Sequence, residues 1–232
     1  MERRAVLMAD NEIEYRLATV DDFDAVYEFT KVHFYQDEPV CRNMFDSAEL
    51  LMDFFKDVLI KALESNLSAL ALNKTTGELV GYRIVSVAQR NEEHKSHEKE
   101  NDENASRALN PGVTVFLEAI GEMKEHMWDY LPADVNKIIR REISCVKHAY
   151  QKRGIGKKLV KVFFEDEELK ELGFDGIVSE TSSIANQTLL GKNGFVPLKE
   201  VVYADYVAKD GSKAPKVLDD GTTKLVLNFK RL

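Results

Sequence analysis

The chain has 232 residues, of which 44% are hydrophobic, and a formal net charge of −8. That length suits one domain, with or without embellishments, and the apolar runs are too short to span a bilayer. The acidic balance argues against nucleic acid as the main partner, since phosphate contacts need a basic face, and is compatible with a cationic small substrate. Two cysteines, Cys41 and Cys145, make no disulfide framework. The N-terminus carries only a five-residue apolar patch, too little for a signal peptide. The expected address is therefore a reducing cytosol, with no membrane association, as a monomer or homodimer.

Taken in order, Glu12 to Ala18 predicts a strand, with Ile13, Tyr15 and Leu17 alternating to one side. Thr19 with Asp22 three residues later reads as a near capping box, opening a helix that stops before Asp37-Glu38-Pro39. Ser47 opens a second helix, whose Leu50, Leu51, Phe54, Phe55, Val58, Leu59 and Leu63 recur at helical spacing. Leu67 to Asn73 and Leu79 to Ala88 read as two strands joined by a glycine-bearing hairpin turn. Gln89 to Ser106 is almost without apolar residues and reads as a solvated loop; its His94 and His97 belong to that loop rather than to a metal site. Pro111 to Tyr130 has helix-like spacing, and Ala133 to Arg140 reads as a further short helix or turn.

Ile143 to Val146 predicts a short buried strand, Gln151 to Gly156 a tight turn, and Lys157 to Leu172 an amphipathic helix closed by Gly173. Asp175 to Thr181 reads as a strand and Ser183 to Lys192 as a helix. Phe195 to Val207 reads as one long strand or a pair, Lys209 to Gly221 as turns, and Thr223 to Phe229 as a last strand. A strand that runs into a basic, glycine-bearing turn at a helix start can cradle a phosphate or pyrophosphate. The first helical turn has unpaired N–H groups and the positive dipole end, and Gly154 and Gly156 permit close approach. Lys152, Arg153, Lys157 and Lys158 add positive charge. The turn is no P-loop, because Lys158 follows Gly156-Lys157, and no dinucleotide fingerprint, because position 159 is leucine.

Gln151-x-x-Gly154-x-Gly156 does fit Q/R-x-x-G-x-G/A, the acetyl-CoA pyrophosphate pattern of the GNAT superfamily of N-acetyltransferases. Lys192-Asn193-Gly194-Phe195 is similar to the K-x-G-F segment after that superfamily's last helix. The element order resembles the same fold from end to end. The resemblance implies a single α/β (α+β) domain over residues 1–232, with a central mixed, mostly antiparallel twisted sheet flanked by helices. It implies acetyl-CoA as cosubstrate, no metal, and a small-molecule amine as acceptor. Cys145, Val146, Gln151, Lys152, Arg153, Gly154, Ile155, Gly156 and Lys157 would hold the cosubstrate, with a backbone N–H near Val146 facing the thioester oxygen.

A narrower likeness is to insect-type arylalkylamine N-acetyltransferases, carried by Phe34-Tyr35-Gln36-Asp37-Glu38-Pro39, by Ser182-Ser183 and by Ala204-Asp205-Tyr206. It implies Glu38 as general base, with a pKa raised above the ordinary value of about 4.3 by partial burial, and Ser182 as proton relay or thioester-orienting group. Asn186 stands where that family has a second serine and is placed to hydrogen-bond the pantetheine arm. Leu190 stands where many members of the superfamily carry an acid tyrosine. His148 is a competing base, and Tyr35 and Tyr206 are candidate pocket residues. Other acceptors left open are a polyamine or a protein N-terminus, and a further alternative is a CoA-binding module without catalysis.

Overall fold

A computed structural model describes residues 12–91 and 110–232. Seven strands form one sheet in the order β1-β2-β3-β4-β5-β7-β6. In chain order these are β1 (Ile13–Leu17), β2 (Ala69–Asn73), β3 (Leu79–Gln89), β4 (Lys137–Val146), β5 (Gly176–Thr181), β6 (Val196–Val202) and β7 (Lys224–Arg231). All neighbouring pairs are antiparallel except β4 with β5, so the sheet is mixed and mostly antiparallel, as expected.

The helices are α1 (Phe23–Phe29), α2 (Pro39–Met44), α3 (Ala48–Glu64), α4 (Pro111–Glu125), α5 (Met127–Tyr130), α6 (Ile155–Lys161), α7 (Asp166–Glu171) and α8 (Ile184–Gly191). The Thr19–Asp22 capping box is present at the entry to α1. Ser47 caps α3 by accepting a hydrogen bond from the Leu50 N–H. Beyond α1 the chain widens into a π-helical segment, Thr30–Phe34, and ends in a single turn, Tyr35–Asp37. Pro39 bars Glu38 from the helical region, so Glu38 is extended (φ −79°, ψ 122°), and Pro39 starts α2 at the position where its missing N–H is harmless.

Several boundaries differ from the sequence reading. α2 was not foreseen. Of residues 133–140, expected as a short helix or turn, 133 and 134 form a turn, and Lys137 already begins β4, which is ten residues long. The helix expected over Lys157 to Leu172 is two, because Phe163 takes a left-handed backbone (φ 59°) between α6 and α7. The Pro111 to Tyr130 helix is likewise interrupted at His126. Phe195 to Val207 holds one strand, β6, followed by a turn. Of the polar stretch Gln89 to Ser106, all but 89–91 lies outside the described residues, as do His94, His97 and the N-terminal patch. Among the described residues no helix is long and apolar enough to cross a membrane.

Two features of β4 shape the centre of the molecule. β4 and β5 pair only from Ile138–Gly176 to Arg141–Ser179, after which β4 runs on alone and a cleft opens between the strands. On its other side β4 bulges against β3: Val85 faces Arg141 and Ile84 faces Ile143, leaving Glu142 as the extra residue.

Candidate active site

A cavity of about 290 Å³ fills that cleft. Its walls come from the α1–α2 junction (Asp37, Glu38, Pro39), the free end of β4 (Ser144, Cys145, Val146), the glycine turn (Gln151, Gly156) and α8 (Ala185, Asn186, Leu189). Arg141 and Asp220 also line it.

Glu38 enters the cavity because the helix must break there. Its carboxylate faces the cavity but is otherwise surrounded by protein, and Ser182 Oγ donates to Oε1 at 2.8 Å. Desolvation pushes its pKa up from 4.5 to about 7. The Ser182 hydroxyl and the Val40 N–H pull the other way, Asp220 adds to the rise, and Arg42 opposes it. Arg42 does little to neutralise Glu38, since its guanidinium is spent on Asp219 in two bonds of 2.7 Å.

Ser182 follows β5 directly and does not cap α8. The Ile184 N–H at the start of α8 is held instead by Thr222 Oγ1 at 2.8 Å and Asp220 Oδ2 at 3.3 Å. That leaves the Ser182 hydroxyl for Glu38. Asn186, almost one turn into α8, also lines the cavity, whereas Leu190 is buried beneath the helix and cannot reach it.

The edge of β4 that faces the cleft is open. Lys147 N–H bonds Val80 O on β3, so strand alternation turns the N–H groups of Val146 and Ser144 to the opposite, unpaired side. There the Val146 carbonyl accepts from Gln151 Nε2 at 3.0 Å, and the same amide donates to Asp37 Oδ2 at 3.1 Å. Gln151 thus ties the turn, the strand end and the Glu38 segment together. In the turn, Lys152 (φ 60°) and Gly154 (φ 87°) both have left-handed backbones, and Gly154 caps α6. Ile155 is buried in the core, so only its backbone can meet a ligand. Lys152 and Lys157 are exposed, while Arg153 lies 3.7 Å from Glu12 and over the Tyr150 ring.

Cys145 lines the cavity, and burial, with Asp37 and Glu38 nearby, raises its thiol well above the ordinary range. It is a poor nucleophile in that form. His148 is 85% exposed with Nδ1 3.4 Å from Asp37, outside the cavity wall. Tyr35 donates to Phe45 O and Tyr206 to Glu118, so neither lines the cavity. Sequence reasoning missed Arg141 and Asp220. Asp220 reaches α8 only through the fold, and no local pattern marks it.

No protein-family model matches the chain, and no curated protein matches it in sequence. Solved structures do. The chain is similar to arylalkylamine N-acetyltransferase 2 from Aedes aegypti, at 21% identity and TM-score 0.76 over 95% of this chain and 99% of that one. It is similar to a Drosophila melanogaster polyamine N-acetyltransferase that catalyses formation of N-acetylagmatine, at 15% identity and TM-score 0.72 over 95% and 100%. A chain of the NatC complex bound to Gag peptide and CoA matches at 14% identity and TM-score 0.51 over 95% and 99%. The fold is therefore the GNAT N-acetyltransferase fold.

Proposed function

We propose that the chain is a cytosolic acetyl-CoA-dependent N-acetyltransferase that acylates the primary amine of a small acceptor, with arylalkylamines as the preferred class. The observation that carries this reading is Glu38: a carboxylate with a pKa of about 7 shares one cavity with the open edge of β4 and the glycine turn. A group poised near neutrality is what deprotonating an ammonium requires.

Each step then has a residue. The unpaired N–H groups of Ile155, Gly156 and Lys157 and the charge of Lys152, Arg153 and Lys157 receive the pyrophosphate. The pantetheine arm lies along Ser144 to Val146, with Asn186 across from it, and the Val146 N–H stabilises the thioester oxygen as it becomes an oxyanion. Glu38 takes the proton from the acceptor ammonium, directly or through water. The amine nitrogen attacks the thioester carbon, the C–S bond breaks, and the thiolate leaves with a proton relayed through Ser182. No acyl-enzyme is needed, and the raised Cys145 thiol does not offer one.

Support for an amine acceptor comes from the acidic wall of Asp37, Glu38 and Asp220, and for an aromatic one from Phe34 and Tyr82 on the same cavity. The test is thiol release from acetyl-CoA with tryptamine, serotonin, dopamine, tyramine, octopamine and spermidine. Turnover of the aromatic amines is expected. Turnover of spermidine alone removes the arylalkylamine preference, and acetyl-CoA binding without any turnover leaves a CoA-binding module.

A further inference from the structure

The bulge at Glu142 has a consequence on the floor of the cleft. Side chains three apart on a regular strand point to opposite faces, but the extra residue returns Arg141 and Ser144 to the same one. There Arg141 Nη2 donates to Ser144 Oγ at 2.9 Å. Arg141 is 3% exposed and lines the cavity, yet its Nε and Nη1 have no hydrogen-bond partner, and among the described residues no carboxylate pairs with it.

Its neighbour makes the imbalance worse. Arg83, opposite Ser144 on β3, is fully buried and spends itself on the carbonyls of Leu159, Val162 and Leu67 and on the ring of Phe164. Two guanidinium groups therefore stand on the same face of adjacent strands; burial, and after it the charge of Arg141, lowers the pKa of Arg83, and burial lowers that of Arg141. An arginine stays charged, so an unpaired one at the wall of a cavity calls for an anion from outside the chain. Nε and Nη1 are enclosed by protein, so an incoming acceptor oxygen would meet the guanidinium at Nη2, whose second hydrogen the bond to Ser144 leaves free. A phosphate dianion would also meet Asp37, Glu38 and Asp220 across the same small space, which favours a single negative charge.

We propose that Arg141, seated by Ser144 at the floor of the β4–β5 cleft, recognises a carboxylate, so that one of the two substrates carries one. The carboxylate belongs either to the far end of the donor's acyl chain or to the acceptor, beside the amine that Glu38 deprotonates. This rests on the acyl-transfer reading above and changes one of its substrates: either an ω-carboxyacyl-CoA displaces acetyl-CoA as the preferred donor, or an aromatic amino acid displaces the simple arylalkylamine as the preferred acceptor.

The experiment compares three pairings on the purified full chain: acetyl-CoA with tyramine, acetyl-CoA with tyrosine, and succinyl-CoA with tyramine. In the wild type, one carboxylate-bearing pairing is expected to exceed the reference in kcat/KM by about tenfold or more. Tyrosine as the favoured substrate assigns the carboxylate to the acceptor, and succinyl-CoA assigns it to the donor. In Arg141→Gln that ratio falls to about one, mainly through KM, and Arg141→Lys restores part of it. The proposal is overturned if neither pairing is preferred by the wild type, or if the preference survives in Arg141→Gln. Should that variant not fold, calorimetric affinities of the wild type and Arg141→Lys for tyrosine against tyramine, and succinyl-CoA against acetyl-CoA, decide the same question. A carboxylate preference in binding without turnover in any pairing would sink the transferase reading and leave the recognition site standing.

Discussion

Glu38 and Glu142 are both enclosed carboxylates within reach of β4, but one has been given cations and the other has not. Burial alone raises Glu142, but Arg140 and Lys124 outweigh it, with the Ser86 hydroxyl 2.6 Å away, and hold it well below the ordinary carboxylate range. Glu38 has one serine hydroxyl and one backbone N–H, and desolvation wins. The first arrangement fixes a charge as part of the fold. The second leaves a proton free to come and go near neutral pH, and partners rather than depth decide which a buried glutamate becomes.

The sharpest way to break the comparison is to remove each carboxylate in turn while keeping its shape. Glu38→Gln retains an oxygen for Ser182 but cannot take a proton. It is expected to lower kcat by about 10²–10⁴ with little change in KM, and to erase the acid limb of the pH–rate profile near pH 7. Unchanged kcat would move the base elsewhere, with His148 next in line. Glu142→Gln leaves Lys124 without its anion and Arg140 with only Glu180, and should cost about 3–5 kcal/mol of stability, read from the denaturant midpoint. Its kcat per folded molecule should fall far less than that of Glu38→Gln.

The two glutamates also pull stability in opposite directions with pH. Glu38 has a folded pKa of about 7 against an ordinary value of 4.5, so between those values the native state binds more protons than the unfolded one. Its contribution is therefore full below about pH 4.5 and lost as pH rises through 7. Glu142 is held down when folded, so its contribution is full above its ordinary value of 4.5 and lost as pH falls below it. Glu38→Gln should accordingly be more stable than the wild type at pH 8 and lose that advantage at pH 5, by melting temperature. In a chain of this size each kcal/mol is worth roughly 2–4 °C.

The same contrast explains what could be read from the sequence. The Thr19 and Ser47 caps, the hairpin turn and the Gln151 to Gly156 motif are local chemistry and were legible. So was the break at Glu38, which Pro39 dictates. The first half of β4 was not: Lys137, Arg140, Arg141 and Glu142 hide strand alternation, and the partners that let Arg140 and Glu142 be buried, Lys124 on α4, Ser86 on β3 and Glu180 on β5, are distant in sequence. Arg141 was illegible for a second reason, since a bulge inverts which face a residue occupies and leaves no mark in one sequence. The α6–α7 break was masked by Leu159, Val160, Phe163, Phe164 and Leu169, whose spacing suits one helix while Phe163 adopts a backbone no helix allows.

The smallest expected effect is the most discriminating, and it concerns Ser182. Its hydroxyl donates to the charged form of Glu38 and so holds the carboxylate's pKa below where burial alone would set it. Ser182→Ala should shift the acid limb of kcat/KM upward by a fraction of a pH unit. The rate lost at pH 7 should then return at alkaline pH, where Glu38 is ionised with or without the serine. A relay to the departing thiolate predicts something different, because a missing proton donor is not supplied by raising the pH. If the limb stays in place and the rate falls at every pH, Ser182 acts on the leaving group. If the limb moves and the alkaline plateau survives, it acts on the base.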